Sequence, residues 1–299
     1  MSNKKWFSAV VLVLALTLAA ATASAVELVP AGKVIVTTGS ARGMDLSRDD
    51  QVLYVGGIQD RTLVKLDTAS GKVETFDLTK INSGAYGKTA WVDGNGKIWM
   101  ALTLPILAKW SPDLTLEASW DLKEFGLVTT EGALVTPNGD IYVTDRNTAK
   151  PGIFKFREVD GKLVPVTDWG NNGYIAQSDL RLPNLTPDND ILLNVYGTSE
   201  IWLVKADTGA KSLYLSGIFA PYFIDQDDSG RIWVCHYDKE PSVSVYAADG
   251  VLIRSWSKAE LGITMESAGI AVSKDGTRLY VADQRNPGVG GAVLIFDVK

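Results

Sequence analysis

Short runs that alternate apolar and polar residues recur along this chain at even spacing. The clearest is GIAVSKDGTRLYVAD from Gly269. It reads as an apolar strand, a turn rich in Asp and Gly, and an aromatic-led strand, the pattern of a β-hairpin. The phrase occurs five more times: GMDLSRDDQVLYVGG from Gly43, AWVDGNGKIWMAL from Ala90, GALVTPNGDIYVTD from Gly132, LPNLTPDNDILLNVY from Leu182 and PYFIDQDDSGRIWVCHY from Pro221. The large residue after each turn (Tyr54, Trp99, Tyr142, Leu192, Trp233 and Tyr280) recurs every 41 to 50 residues. Asp93-Gly94, Asn138-Gly139 and Asp275-Gly276 supply the positive φ angles expected of tight hairpin turns.

A second hairpin follows each of the first five. After the first come LVKL, DTASGK and VETFDL; after the fourth, IWLV, ADTGAK and SLYLS. Each unit therefore predicts four antiparallel strands, and no long helical period interrupts them. The best helix candidate is the short segment Lys258–Leu261. Four-stranded units at this period predict an all-β, six-bladed β-propeller. The last unit is one strand short when the chain ends at Lys299. The missing strand is available at the other end, in KVIVTT at about 33–38, so the N-terminal strand is expected to complete the last blade and close the ring.

Composition narrows the picture. The first 25 residues carry Lys4 and Lys5, an apolar run from Phe7 to about Ala20, and the small-x-small triplet Ala23-Ser24-Ala25. They read as a Sec signal peptide cleaved after Ala25, leaving 26–299 as one propeller domain, periplasmic or secreted and monomeric. With one cysteine, Cys235, the fold has no internal disulfide. A formal charge of -6 and the absence of a basic block argue against nucleic acid or a membrane surface as a partner after signal cleavage.

GIAVSKDGTRLYVADQRN is similar to an NHL repeat, and residues 32–299 resemble the six-bladed propellers grouped as NHL and SMP-30/gluconolactonase-like proteins. That resemblance implies a ligand face where the first strand of each blade starts and the second ends. Carried onto this chain, it places Arg42, Glu131, Arg181, Tyr222 and Glu266 at first-strand starts. It places Asp145, Arg146, His236, Asp283 and Arg285 at second-strand ends, with Gln59, Tyr196 and Asp238. A plainer reading of Asp145 and Asp283 is that they tie down their own loops by accepting backbone N–H groups.

The gluconolactonase branch implies one divalent cation, often Ca2+, held by Glu, Asn and Asp. Where its Glu would stand, this chain reads SARGMDL, with Arg42; Pro183-Asn184-Leu185 keeps the Asn; and Pro221-Tyr222-Phe223 has Tyr in place of Asp. Asn184 is thus the one retained metal candidate. Asp225-x-Asp227-x-Ser229 looks like the start of a calcium loop, but its closing acid falls on His236. Lone His236 excludes the two-histidine chemistry of the streptogramin lyase propellers, which the repeats also resemble. Cys235 and His236 are strand neighbours and point to opposite faces, so they cannot pair as nucleophile and base. The expectation is a module that binds a small molecule or protein segment at its rim. The alternative is a divalent-metal-dependent lactone or ester hydrolase with a rearranged site.

Overall fold

The computed structural model describes residues 26–147, 149–286 and 289–299; the expected signal peptide lies outside them. Six antiparallel sheets follow one another around a ring. Their strands are Ala41–Asp77 (blade one), Trp91–Asp121 (two), Thr130–Ala176 (three), Asn184–Ser216 (four), Pro221–Trp256 (five) and Ser267–Val298 (six). The six large residues that follow the turns pair with equivalent positions on the innermost strands: Asp45, Trp91, Leu134, Asn184, Asp225 and Ala271. All six are buried between blades, so the repeat seen in the sequence is the repeat of the packing.

The first hairpin turn is the same in every blade, and it differs from the expected form. One residue per turn has positive φ: Asp50, Gly96, Gly139, Asn189, Gly230 and Gly276. In each, that residue's N–H donates to the carbonyl three positions earlier. This is a type I turn followed by a left-handed residue, which needs one positive φ where a two-residue turn needs two. Gly94, expected to carry it in blade two, does not; Gly96 does. The first turn residue is always Ser, Thr or Asp, and its side chain closes the turn, as when Ser47 Oγ accepts from Val52 N–H and Ser273 Oγ from Arg278 N–H. The apparent calcium loop is one of these turns. Asp227 accepts from Ser229 N–H, Arg231 N–H and the Trp233 indole.

Blade three has an addition that the repeat does not predict. Its outermost strand is split, so that Lys162–Pro165 and Tyr174–Ala176 pair with different halves of Gly152–Val159. The excursion between them buries Trp169 edge-on against Tyr142, with centroids 5.3 Å apart. The helix at Lys258–Leu261 forms as expected, with Ser257 and Glu260 making a capping box.

The N-terminal strand is longer than the expected 33–38. Leu28–Thr37 pairs with Gly290–Val298 from Leu28↔Val298 to Thr37↔Gly291 and becomes the outermost strand of blade six. The pairing extends through Glu27 and Lys299, whose backbones exchange two hydrogen bonds. Val26 then packs into the apolar cluster shared with Trp256 and Leu261. Removing residues 26–37 should leave Gly290–Val298 as an open edge. The expected result is a melting midpoint lower by roughly 10 °C or more, with aggregation, read by calorimetry and size exclusion. An unchanged midpoint would contradict closure by this strand.

Candidate ligand site at the propeller mouth

Register breaks on the innermost strands decide what reaches the mouth. Pairing with the second strand skips between Ala41 and Met44, Thr130 and Gly132, Pro221 and Phe223, and Ser267 and Ile270. A bulge leaves the skipped residue out of the ladder and re-aims its side chain. Arg42, Glu131 and Tyr222 are skipped residues. One position further in, the axis is plugged. Added Cβ atoms on Gly43 and Gly132 would collide with Phe223 and Leu182 respectively, so the glycines make room for these large side chains.

Above this plug the side chains converge. Arg42 Nη1 donates to Tyr222 Oη at 2.9 Å, and its guanidinium lies 4.9 Å from the Tyr237 ring centroid. Blade six stands between the blades that carry these residues, so the contact spans the mouth. Arg181 lies 4.7 Å from the Tyr196 ring centroid and 5.6 Å from that of Tyr222, and pairs with Asp179 at 2.8 Å. The Tyr222 and Tyr237 rings stack at 4.7 Å, with Tyr196 edge-on to Tyr222. On blade three, Glu131 is 1% exposed; one carboxylate oxygen takes Lys88 at 2.6 Å and Arg146 at 3.0 Å. Burial pushes the Lys88 ammonium below its ordinary pKa, against the pull of Glu131.

Several polar atoms here have no partner among the described residues: Arg42 Nε, Arg181 Nε, Glu131 Oε2 and Asn194 Oδ1. Buried polar atoms are nearly always paired, so such a cluster marks a place that an outside group can complete.

The structure thus brings together Arg42, Glu131, Arg146, Arg181 and Tyr222. Tyr196, also expected at the rim, joins them through Arg181 and Tyr222, and the structure gives several of the others different work. Asp145 accepts from Val128, Thr129 and Asn147 N–H groups, and Asp283 from Thr264 and Met265, so each ties down a loop. His236 is buried between Phe219 O and Ser244 Oγ, and burial holds its pKa below the usual value. Glu266 is half-buried and pairs with Lys258 at 2.8 Å. Arg285 lies on the strand Arg278–Asn286, and its side chain falls outside the described ones. Cys235 is fully buried, and its thiol is pushed up to about 12. Lys88, Asp179 and Tyr237 were not anticipated. Lys88 stands two residues before Ala90, where Arg42 stands two before Met44, so register counting alone could have found it.

Asn184 lies deeper, at the level of Asp45, Trp91 and Asp225. These four positions latch each blade to the next. Asp45 accepts from Val92 N–H and Asp225 from Val272 N–H, both at 2.7 Å; Trp91 donates to Val135 O at 3.2 Å and Asn184 to Ile224 O at 2.8 Å. Asn184 Oδ1 is taken by Leu185 N–H. The residues that stand where the family implies metal ligands therefore do not fit a cation: a guanidinium, a committed amide and a phenol. Among the described residues, no group of three or more His, Cys, Asp or Glu is placed to hold a metal ion.

A recess of about 320 Å³ opens on the opposite face, lined by Asp45, Trp91, Asn184, Asp225 and Lys274. Its Asp45, Trp91, Asn184 and Asp225 are spent on latching blades. The unpartnered groups at the mouth make that end the better candidate.

No protein-family model and no curated protein matches the sequence. Solved structures do match the fold. A calcium-binding regucalcin from Agrobacterium tumefaciens aligns with a TM-score of 0.65 at 18% identity, over 90% of this chain and 95% of that one. A gluconolactonase from Xanthomonas campestris aligns with a TM-score of 0.65 at 13% identity, over 91% and 97%. A streptogramin B lyase aligns with a TM-score of 0.61 at 16% identity, over 91% and 97%. The chain has their propeller fold. At these identities the likeness reaches no further than the fold.

Burial, then repulsion from Asp225, raises the Asp45 carboxyl to about 7, and burial raises Asp225 to about 6. A raised carboxyl pKa means that the folded state binds more protons than the unfolded state between about pH 4 and 7, so stability falls as pH rises through that window. Relative to an Asp45→Asn variant, the natural chain should lose stability between pH 5 and pH 8, at about 1.4 kcal/mol per pKa unit crossed. Urea unfolding at both pH values measures it; parallel curves would show Asp45 to be unperturbed.

Proposed function

We propose that this chain is an exported binding module that takes a small molecule or a protein segment at the mouth of its propeller. The observation that carries this reading is the convergence of Arg42, Glu131, Arg181 and Tyr222, from four separate blades, with polar atoms left unpartnered. Bulges in three of those blades aim side chains inward at a cost in sheet pairing that a purely structural rim does not need. Neither a nucleophile–base pair nor a metal cage stands beside them among the described residues.

The alternative is a metal-dependent hydrolase of lactones or esters. Its support is the fold shared with gluconolactonase and regucalcin propellers, together with the free Glu131 Oε2. Three guanidiniums and the Lys88 ammonium stand against it, because they repel a divalent cation from this mouth.

Thermal melting of residues 26–299 separates the two readings. A ligand at about a hundred times its Kd adds roughly 2.7 kcal/mol, which moves the midpoint of a domain this size by roughly 5–10 °C. The binding reading expects such a shift from at least one member of a small-metabolite panel, lost in Tyr222→Ala, and none from millimolar calcium added after EDTA. A calcium shift joined to lactone or ester turnover would replace it with the hydrolase.

A further inference from the structure

The charge balance at the mouth names a ligand class. Among the described side chains, four cations gather there: Arg42, Lys88, Arg146 and Arg181. Facing these are the carboxylates of Glu131 and Asp179. Lys88 and Arg146 share Glu131, and Arg181 pairs with Asp179, which is 40% exposed at its side chain. Arg42 makes no ion pair among the described residues. It is held by Tyr222 Oη and, at 3.4 Å, by Tyr237 Oη, both neutral, and by the faces of their rings.

A partly buried guanidinium is always charged, so it cannot relieve its position by losing a proton as a lysine can. Without a counter-ion it keeps a desolvation cost that cation–π contacts return only in part. Arg181 is 9% exposed and its Nε–H, like that of Arg42, meets no acceptor among the described residues. Both guanidiniums touch the same ring, Tyr222, from blades on either side of it. An acceptor carrying negative charge answers both deficits at once. Each guanidinium can offer a fork of N–H donors matched to two oxygens. Arg42 is the one to move, because neutral hydroxyls and rings release it more readily than a carboxylate would.

We infer that the mouth binds an organic oxyanion, a carboxylate or a phosphate group, gripped between Arg42 and Arg181 beside Tyr222. This rests on the binding reading above and narrows it to a charge class. Glu131, on the neighbouring blade three, repels the anion and keeps it on the Arg42 and Arg181 side of Tyr222.

The test uses residues 26–299 with inorganic phosphate, succinate and benzoate as probes, and choline and gluconolactone as cationic and neutral controls, at millimolar concentration and constant ionic strength. Calorimetry and thermal melting are read for the natural chain, Arg42→Gln, Arg42→Lys and the surface control Arg278→Gln. The expected result is binding of at least one anion, weakened about tenfold or more by Arg42→Gln and unchanged by Arg278→Gln. Arg42→Lys keeps the charge but loses the fork, so it should bind with intermediate strength; it also guards against a glutamine variant that fails to fold. Phosphate binding alone points to a phosphorylated ligand, and succinate or benzoate alone to a carboxylate. No binding by any anion, or binding undiminished in both Arg42 variants, overturns the inference. A control ligand whose effect disappears in Tyr222→Ala would overturn it too, while leaving the binding module standing.

Discussion

The structure depends on a single seam of backbone pairing, Leu28–Thr37 against Gly290–Val298. A four-stranded sheet cannot cover both of its faces by itself, so each blade relies on neighbours for its core. In an open row the first and last blades would each leave a face bare and an edge unpaired. Joining the chain's beginning to its end removes both defects. The six apolar clusters follow from this, since most mix residues of adjacent blades: Met44 and Leu53 pack with Ala271 and Tyr280 only because blade six meets blade one.

Closure also makes the innermost strands do two different things along their length. At the inner level, Asp45, Trp91, Asn184 and Asp225 reach sideways and hydrogen-bond the next blade's backbone. Nearer the mouth the same strands bulge, and side chains leave the ladder for the axis. Latching satisfies every donor and acceptor it recruits, whereas bulging leaves several unsatisfied. Groups held by internal partners serve the fold, and groups left over serve whatever enters. By that criterion the recess on the far face, despite its volume, belongs to the architecture.

Electrostatics divides the molecule along the same line. Asp140, Asp145, Asp227 and Asp283 are fully buried, and each spends its charge on nearby N–H groups or a cation. Asp45 and Asp225 are half-buried at the inner level, where desolvation raises their proton affinity. Positive charge at the mouth has too few local partners. A low-dielectric rim amplifies that imbalance where bulk water would screen it.

The fold was legible in the residues because the propeller repeats itself. Six copies of one hairpin, an aromatic after each turn and a missing last strand can be read without coordinates, since alternation and turn chemistry are local. Much less of the site was legible. Arg42, Glu131, Arg181 and Tyr222 were reachable by counting strand starts, but Asp145, Asp283, Glu266 and His236 shared that rim and serve loops, a half-buried ion pair and packing. Identity and position look alike for a carboxylate that holds a loop and one that faces a ligand. What separates them is which donors lie within about 3 Å, and that is set by neighbouring blades far away in the chain. Gly94 failed for a related reason, because the turn's geometry follows from strand twist and register as well as from its dipeptide. The sequence by itself determined the number of blades, their strands and the closing segment, through local pattern. Only the tertiary structure decided which charges are spent and which remain, because hydrogen-bond partners and burial arise where blades meet.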